Sequence, residues 1–169
     1  IPLLGRKNQQ LARLRREDRR GRWASKAEQN LAHGLSDVRR MSGALDLPRS
    51  LRDQACQIFR SAAGAGLMVG RSIEAMTAAS VYAACRCAGL PRPLEEVTAV
   101  ATVPHDRVQN AYTVLNRELR LPAMTVGPAE YIPRLASELD ISPATRRRAV
   151  DLARTRPAER RGVRRAPGA

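Results

Sequence analysis

The sequence predicts an all-α protein. Along most of the chain, apolar residues recur at three- and four-residue spacing, the pattern of helices with one buried face. Aromatic residues make up only 3% of the chain although 43% of it is hydrophobic, so the core must be built from Leu, Val, Ile and Ala. Proline and glycine lie between the periodic segments, where they end helices. Together these observations predict seven helices.

The first two helices are predicted after residue 24. The first begins at Ser25, which can form a capping box with Glu28. Its apolar face is formed by Leu31, Leu35, Val38, Met41 and Leu45. The second runs from about Arg49 to Ala63, with Pro48 at its entry. Its inward-facing residues are Leu51, Ala55, Ile58, Phe59 and Ala62.

The next three helices complete a group of five. The third, from about Ser72 to Ala88, has small residues on most faces and is therefore predicted to be central and surrounded. The fourth is short and is marked by Leu94, Val97 and Ala101. The fifth opens at Pro104 and ends before Pro122. Five helices are thus predicted within residues 26–120.

Two further helices and two basic ends account for the rest. Tyr131, Ile132, Leu135 and Leu139 mark the sixth helix, and Ser142 with Pro143 caps a seventh that ends near Ala153. Near the front, residues 6–22 contain too few apolar side chains to bury a face, which predicts a linker that can be transiently helical. The Arg-, Pro- and Gly-rich end cannot form a packed helix.

The charge is concentrated at these two ends. The formal net charge is +14 and the isoelectric point is near 11.4, a surplus that favours an acidic partner such as nucleic acid. Residues 1–26 hold nine Lys or Arg against two acids, residues 27–140 twelve against twelve, and residues 141–169 nine against two. A basic end can also be a nonspecific appendage, and a neutral centre can be any globular module.

Several classes of protein are disfavoured. Cys56, Cys85 and Cys87 include no CxxC pair, so neither a disulfide framework nor a zinc site is indicated. His33 and His105 have no matched carboxylate or nucleophile nearby in sequence, so we expect that the protein is not an enzyme. No apolar run approaches the ~20 residues of a membrane span. We expect a soluble, cytoplasmic, nucleoid-associated protein without a cofactor in this chain.

Residues 94–115 place two helices at a short turn, the spacing of a helix-turn-helix. An ordinary helical hairpin has the same spacing and is common in bundles. Asp106, on the exposed face of the second helix, would repel phosphate. The spacing alone therefore favours the hairpin.

A specific resemblance is carried by four segments. GRSIEAMTAASVYAACRCAGLPRPLEEV at 70–97 resembles the core of the archaeal transcription factor B family, which is related to the eukaryotic general initiation factor. LARLRREDRR at 11–20, VPHDRVQNAYTVLNRELRL at 103–121 and YIPRLASELDIS at 131–142 match in the family's order and spacing. The resemblance covers roughly residues 6–153.

The resemblance implies a fold of cyclin-like repeats, each of five helices. Residues 26–120 then form the first repeat and residues 121–155 the first two helices of an incomplete second one. From composition we expect residues 1–25 to be a basic linker and residues 156–169 a disordered Arg-, Pro- and Gly-rich tail.

The resemblance also implies a function without catalysis. Such a factor binds TATA-binding protein on promoter DNA and recruits RNA polymerase. A cyclin-like module that binds polymerase or another protein partner without reading DNA is the alternative, and the neutral centre of the chain favours it.

The resemblance assigns residues to two of these partners. Gly70 and Arg71 match the loop that reaches the minor groove, where a guanidinium suits the negative potential. Arg86 and Arg92 could hold phosphates or form internal salt bridges, and Arg107 completes the predicted DNA-binding set. The linker that lies along the polymerase would be represented by Arg13, Arg15, Arg16, Asp18, Arg19 and Arg20; a solvated basic linker is the alternative.

The chain also departs from the family's pattern. Its paired-cysteine zinc ribbon is not in this sequence, so zinc is expected only if a ribbon lies upstream. Three helices of the second repeat, including its helix-turn-helix, have no counterpart. The sixth and seventh helices are therefore expected to expose apolar side chains. The Arg, Ala, Gly and Pro content of the segment from Arg154 onward resembles that of a GC-rich gene's product translated out of frame.

Overall fold

The structure, a computed structural model, describes residues 3–155. Within that range it contains seven helices and no strand, which confirms the all-α prediction. The helices are α1 (Leu3–Ala44), α2 (Arg49–Gly64), α3 (Ile73–Cys87), α4 (Leu94–Val100), α5 (His105–Glu118), α6 (Pro128–Glu138) and α7 (Pro143–Thr155). The predicted tail at 156–169 lies outside the described residues.

Helix α1 differs from its prediction. The helix is continuous for 42 residues, so Ser25 lies in its interior and the predicted capping-box start there is wrong. Its first half is rich in Arg and Leu, which favour helix, and contains no proline. Pairs four residues apart, such as Arg13 with Glu17, add support. Local helix propensity therefore stabilises the first half of α1, although its side chains are not buried. The domain boundary at residue 25 stays a prediction.

The core of the protein surrounds α3. This helix packs against α1, α2 and α5. Every residue from Ala75 to Val81 is buried, which confirms the prediction of a surrounded helix. Two hydroxyls in this stretch are satisfied within the helix: Ser80 Oγ donates to the Met76 carbonyl at 2.7 Å, and Thr77 Oγ1 donates to the Ile73 carbonyl at 2.8 Å. Small side chains let three helices approach α3 closely.

Helices α1 and α2 meet at a position without a side chain. Gly34 lies directly over the ring of Phe59, which is fully buried, and a Cβ at Gly34 would overlap that ring. The glycine therefore sets how closely α1 can approach α2.

Helices α6 and α7 pack on each other and touch the other five sparingly. Ala136 on α6 is buried, whereas the larger apolar side chains Leu135, Leu139, Ile141 and Leu152 are exposed. That exposure is the one expected from the sequence. A gap of about 590 Å³ separates the start of α6 and the end of α7 from Gly89 and Pro91.

Candidate nucleic-acid interface

The connection between α2 and α3 ends in a tight turn. The Arg71 backbone N–H donates to the Met68 carbonyl at 3.2 Å, and Gly70 has a φ of 72°. A type II turn needs a positive φ at its third residue, which glycine adopts without strain. A Cβ at Gly70 would meet open space, so the turn is accessible from outside.

The turn fixes the position of Arg71 at the start of α3. Ser72 caps that helix by accepting from the Ala75 N–H at 3.0 Å. The exposed Arg71 guanidinium donates through Nη1 to the carbonyls of Leu67 at 3.0 Å and Val69 at 3.4 Å. A guanidinium has five N–H donors, so most remain free for a ligand.

A groove of about 440 Å³ separates this turn from α5. Gly70 and Arg71 lie on one side, and Arg107 lies on the other. Three of the five predicted DNA-binding residues are thus brought together, although 36 positions separate the two arginines. Of the described residues that line the groove, none is acidic. Two cations without a neighbouring lining carboxylate favour an anionic ligand.

Five other residues that line the groove were absent from the predicted set. Ser72 and Ala75 lie on the α3 side, and Asn110, Ala111 and Val114 lie on α5. A signal for the α5 residues was present, because Arg107, Asn110 and Val114 follow each other at three- and four-residue spacing on one helical face. What the sequence could not show is that this face turns toward the α2–α3 turn.

Arg86 and Arg92 lie elsewhere and are only partly accessible. Arg92 donates from Nη1 to Glu96 Oε2 at 2.9 Å and from Nη2 to the Leu45 carbonyl at 2.8 Å. The internal salt bridge left open by the sequence is therefore the arrangement found for Arg92. Arg86 is half-buried, with its Nε enclosed and without a hydrogen-bond partner. Arg92 is therefore engaged within the protein, whereas a phosphate contact by Arg86 stays a prediction.

The predicted polymerase-binding residues lie on the protruding half of α1, where every described side chain from residue 10 to residue 30 is exposed. They divide between two helix surfaces, with Arg13, Arg16 and Arg20 on one and Arg15, Asp18 and Arg19 on the other. Asp18 accepts from Arg22 at 2.6 Å and Glu17 from Arg13 at 3.2 Å. The helix therefore presents basic charge on two sides.

Each histidine has a carboxylate neighbour that the sequence reasoning missed. His33 Nε2 lies 3.5 Å from Asp37 Oδ2, one helical turn away, and His105 Nε2 lies 3.6 Å from Glu95 Oε1. Both histidines are exposed. The Asp37 contact could have been found from its four-residue spacing, whereas the Glu95 contact depends on how α4 meets α5.

Residues 3–155 contain no group of three or more His, Cys, Asp or Glu side chains arranged to hold a metal ion. None of the described helices is long and apolar enough to cross a membrane.

The sequence is similar to that of known transcription proteins. Residues 27–118 match the family described as Transcription factor TFIIB repeat. Transcription initiation factor IIB 5 of Halobacterium salinarum is 53% identical over 146 residues, which are 86% of this chain and 48% of that relative. Transcription initiation factor IIB of Archaeoglobus fulgidus is 43% identical over 143 residues, 85% of this chain and 44% of that relative. The chain spans about half the length of these curated relatives. Since the matched region covers more than half of the chain, and it forms the all-α core around α3, this protein belongs to the transcription factor TFIIB repeat family.

Proposed function

We propose that the chain acts in transcription initiation by binding promoter DNA next to TATA-binding protein and recruiting RNA polymerase. The observation that carries this proposal is the groove between the α2–α3 turn and α5, with Arg71 and Arg107 on opposite sides. The names of the relatives, all transcription initiation factor IIB, support the same role.

The chemistry of the groove suits a DNA backbone and minor groove. The open turn at Gly70 lets a sugar-phosphate chain approach the protein backbone closely. Arg71 beside it can enter a narrow minor groove, whose negative potential attracts a guanidinium. Arg107, across the groove, would contact a phosphate on the same duplex. The proposal keeps these three residues and gives Arg92 a structural role.

The test is a gel shift on TATA-containing DNA with and without TATA-binding protein. We expect the full chain to supershift the complex of TATA-binding protein with DNA. Arg71→Ala should weaken the supershift by roughly tenfold and lower the slope of log affinity against log salt by about one ion. Arg107→Ala should act in the same direction. Arg49→Ala is the matched control, since it removes an exposed arginine at the far end of α2.

The outcomes separate the competing functions. Equal supershifts for wild type, Arg71→Ala and Arg107→Ala would reject this groove as the DNA site. Binding that needs no TATA-binding protein and ignores sequence would indicate a purely electrostatic DNA binder. Binding to polymerase without any supershift would favour a protein-only cyclin-like module.

Polymerase recruitment is assigned to the exposed half of α1. The two basic surfaces lie on the first half of α1, and the second half of the same helix is packed in the core. A partner bound to the first half would therefore be held at a defined angle to the core. Leu11 and Leu14, 50% and 60% exposed, add an apolar contact on the same segment. Capture of purified polymerase should fall for Arg15→Ala with Arg19→Ala, and not for Arg49→Ala. Equal capture would reject the assignment.

A further inference from the structure

We propose that Glu96 is a positioning residue that holds α6 and α7 against the first five helices. It does so through the Glu96 cluster, which consists of Arg92, Glu96 and Arg134. The proposal concerns the chain alone and does not depend on DNA or polymerase.

Glu96 is held by two arginines from different parts of the chain. Arg92, just before α4, donates to Glu96 Oε2 at 2.9 Å. Arg134, on α6, donates to Glu96 Oε2 through Nη1 at 3.0 Å and to Glu96 Oε1 through Nη2. Two parallel N–H bonds from one guanidinium fix direction as well as distance. The carboxylate therefore joins α4 to a helix 38 positions later.

The cluster is anchored on both sides. Arg92 also donates to the Leu45 carbonyl at 2.8 Å, which connects it to the end of α1. Arg134 also lies 3.3 Å from Glu138, one turn along α6. Each arginine side chain is therefore held by a second partner in addition to Glu96.

The cluster is more shielded than an ordinary surface ion pair. The side chains of Arg92, Glu96 and Arg134 are 19%, 30% and 24% exposed, and Arg134 Nε is buried without a hydrogen-bond partner. Loose pairs at full exposure contribute little because water and salt screen them. Partial burial lowers that screening and makes orientation of the groups more consequential.

Few other contacts hold α6 and α7 in place. Among the described side chains, the Arg134–Glu96 pair provides the only side-chain hydrogen bonds between these two helices and α1–α5. The segment before α6 contributes one backbone bond, from Met124 N–H to the Arg86 carbonyl at 2.9 Å. A gap of about 590 Å³ lies between these helices and Gly89 and Pro91, so the two parts are not closely packed at that place. The orientation of α6 therefore depends on Glu96.

Hydrogen exchange of the full chain tests this inference. In Arg134→Gln we expect protection of α6 and α7 to fall about tenfold, which corresponds to ~1.4 kcal/mol. Protection of α2 and α3 should not change. Arg146→Gln is the matched control, because it makes the same change at an exposed position on α7. Arg134→Lys should restore part of the protection, since an ammonium keeps the charge but cannot bind in the bidentate mode.

A double-mutant cycle adds the decisive readout. If Glu96 acts through Arg134, the Glu96→Gln/Arg134→Gln chain should lose no more protection in α6 and α7 than Glu96→Gln alone. Additive losses would overturn the proposal, and so would unchanged exchange in Arg134→Gln. A fall in protection spread equally over all helices would also overturn it, because that pattern indicates general destabilisation. None of these results bears on the gel-shift outcome.

Discussion

Replacing Gly34 by alanine tests the contact between α1 and α2. The new Cβ would overlap the Phe59 ring, whose third-nearest carbon would still be only 3.0 Å away. The ring is fully buried, so it cannot move toward solvent without opening the core. Overpacking of this kind costs ~1–3 kcal/mol. Alanine gains ~0.5–1 kcal/mol over glycine inside a helix, which leaves a net loss of up to about 2.5 kcal/mol.

Urea unfolding followed by circular dichroism measures this loss. The matched controls are Gly21→Ala and Gly43→Ala, two positions on the same helix where a Cβ meets nothing within 4 Å. Both should be neutral or slightly stabilising, because only the helix-propensity gain remains. Phe59→Leu should reduce the penalty of Gly34→Ala, since it removes part of the ring. If Gly34→Ala is as stable as Gly43→Ala, the close approach of α1 to α2 is wrong.

Three further predictions follow from other parts of the molecule. Burial acts to raise the pKa of Glu96, but hydrogen bonds from two arginines outweigh it and lower the pKa below the ordinary 4.5. The stabilising contribution of Glu96 is therefore complete above pH 4.5 and is lost as the pH falls through the lower pKa of the folded state. This loss should appear as a step in the protection factors of α6 and α7, and Glu96→Gln should lack the step. Burial raises the pKa of the Cys85 thiol to about 11 and also raises that of Cys87. Because only Cys87 is partly accessible, peptide mapping after thiol labelling at pH 8 should find Cys87 modified first. Faster labelling of Cys85 would contradict the packing around α3. Removal of residues 126–169 should leave the cooperative unfolding of residues 26–120 nearly unchanged in a urea titration, and loss of that transition would reject the first-repeat assignment.

Much of the fold could be predicted because helices are encoded locally. Apolar residues spaced three and four positions apart predicted where α2 to α7 lie along the chain. The small residues of α3 predicted that this helix is central. The predicted start of α1 at Ser25 was wrong, and the cause is again local. A lack of apolar residues suggested a linker at 1–25, whereas strong helix formers and charged pairs continue the helix without burial.

The candidate site could be predicted only in part. The turn at Gly70 and Arg71 was identified through the family resemblance, and Arg107 was included in the same predicted DNA-binding set. Their common groove depends on the angle at which α5 packs on α3, which no local pattern specifies. The same limit explains Arg92. The sequence left a phosphate contact and a salt bridge equally open, and the folded chain places Glu96 and the Leu45 carbonyl against it.

By itself, the sequence determined the helical class, the surrounded α3 and the family resemblance, since each of these depends on neighbouring residues or on an unbroken motif. Only the tertiary structure decided which distant side chains meet. It brought Arg71 and Arg107 to one groove, and it joined Glu96 to Arg134 across 38 positions. The physical reason is that helix periodicity is a property of the local backbone, whereas the pairing of helix faces depends on how all the buried side chains pack together.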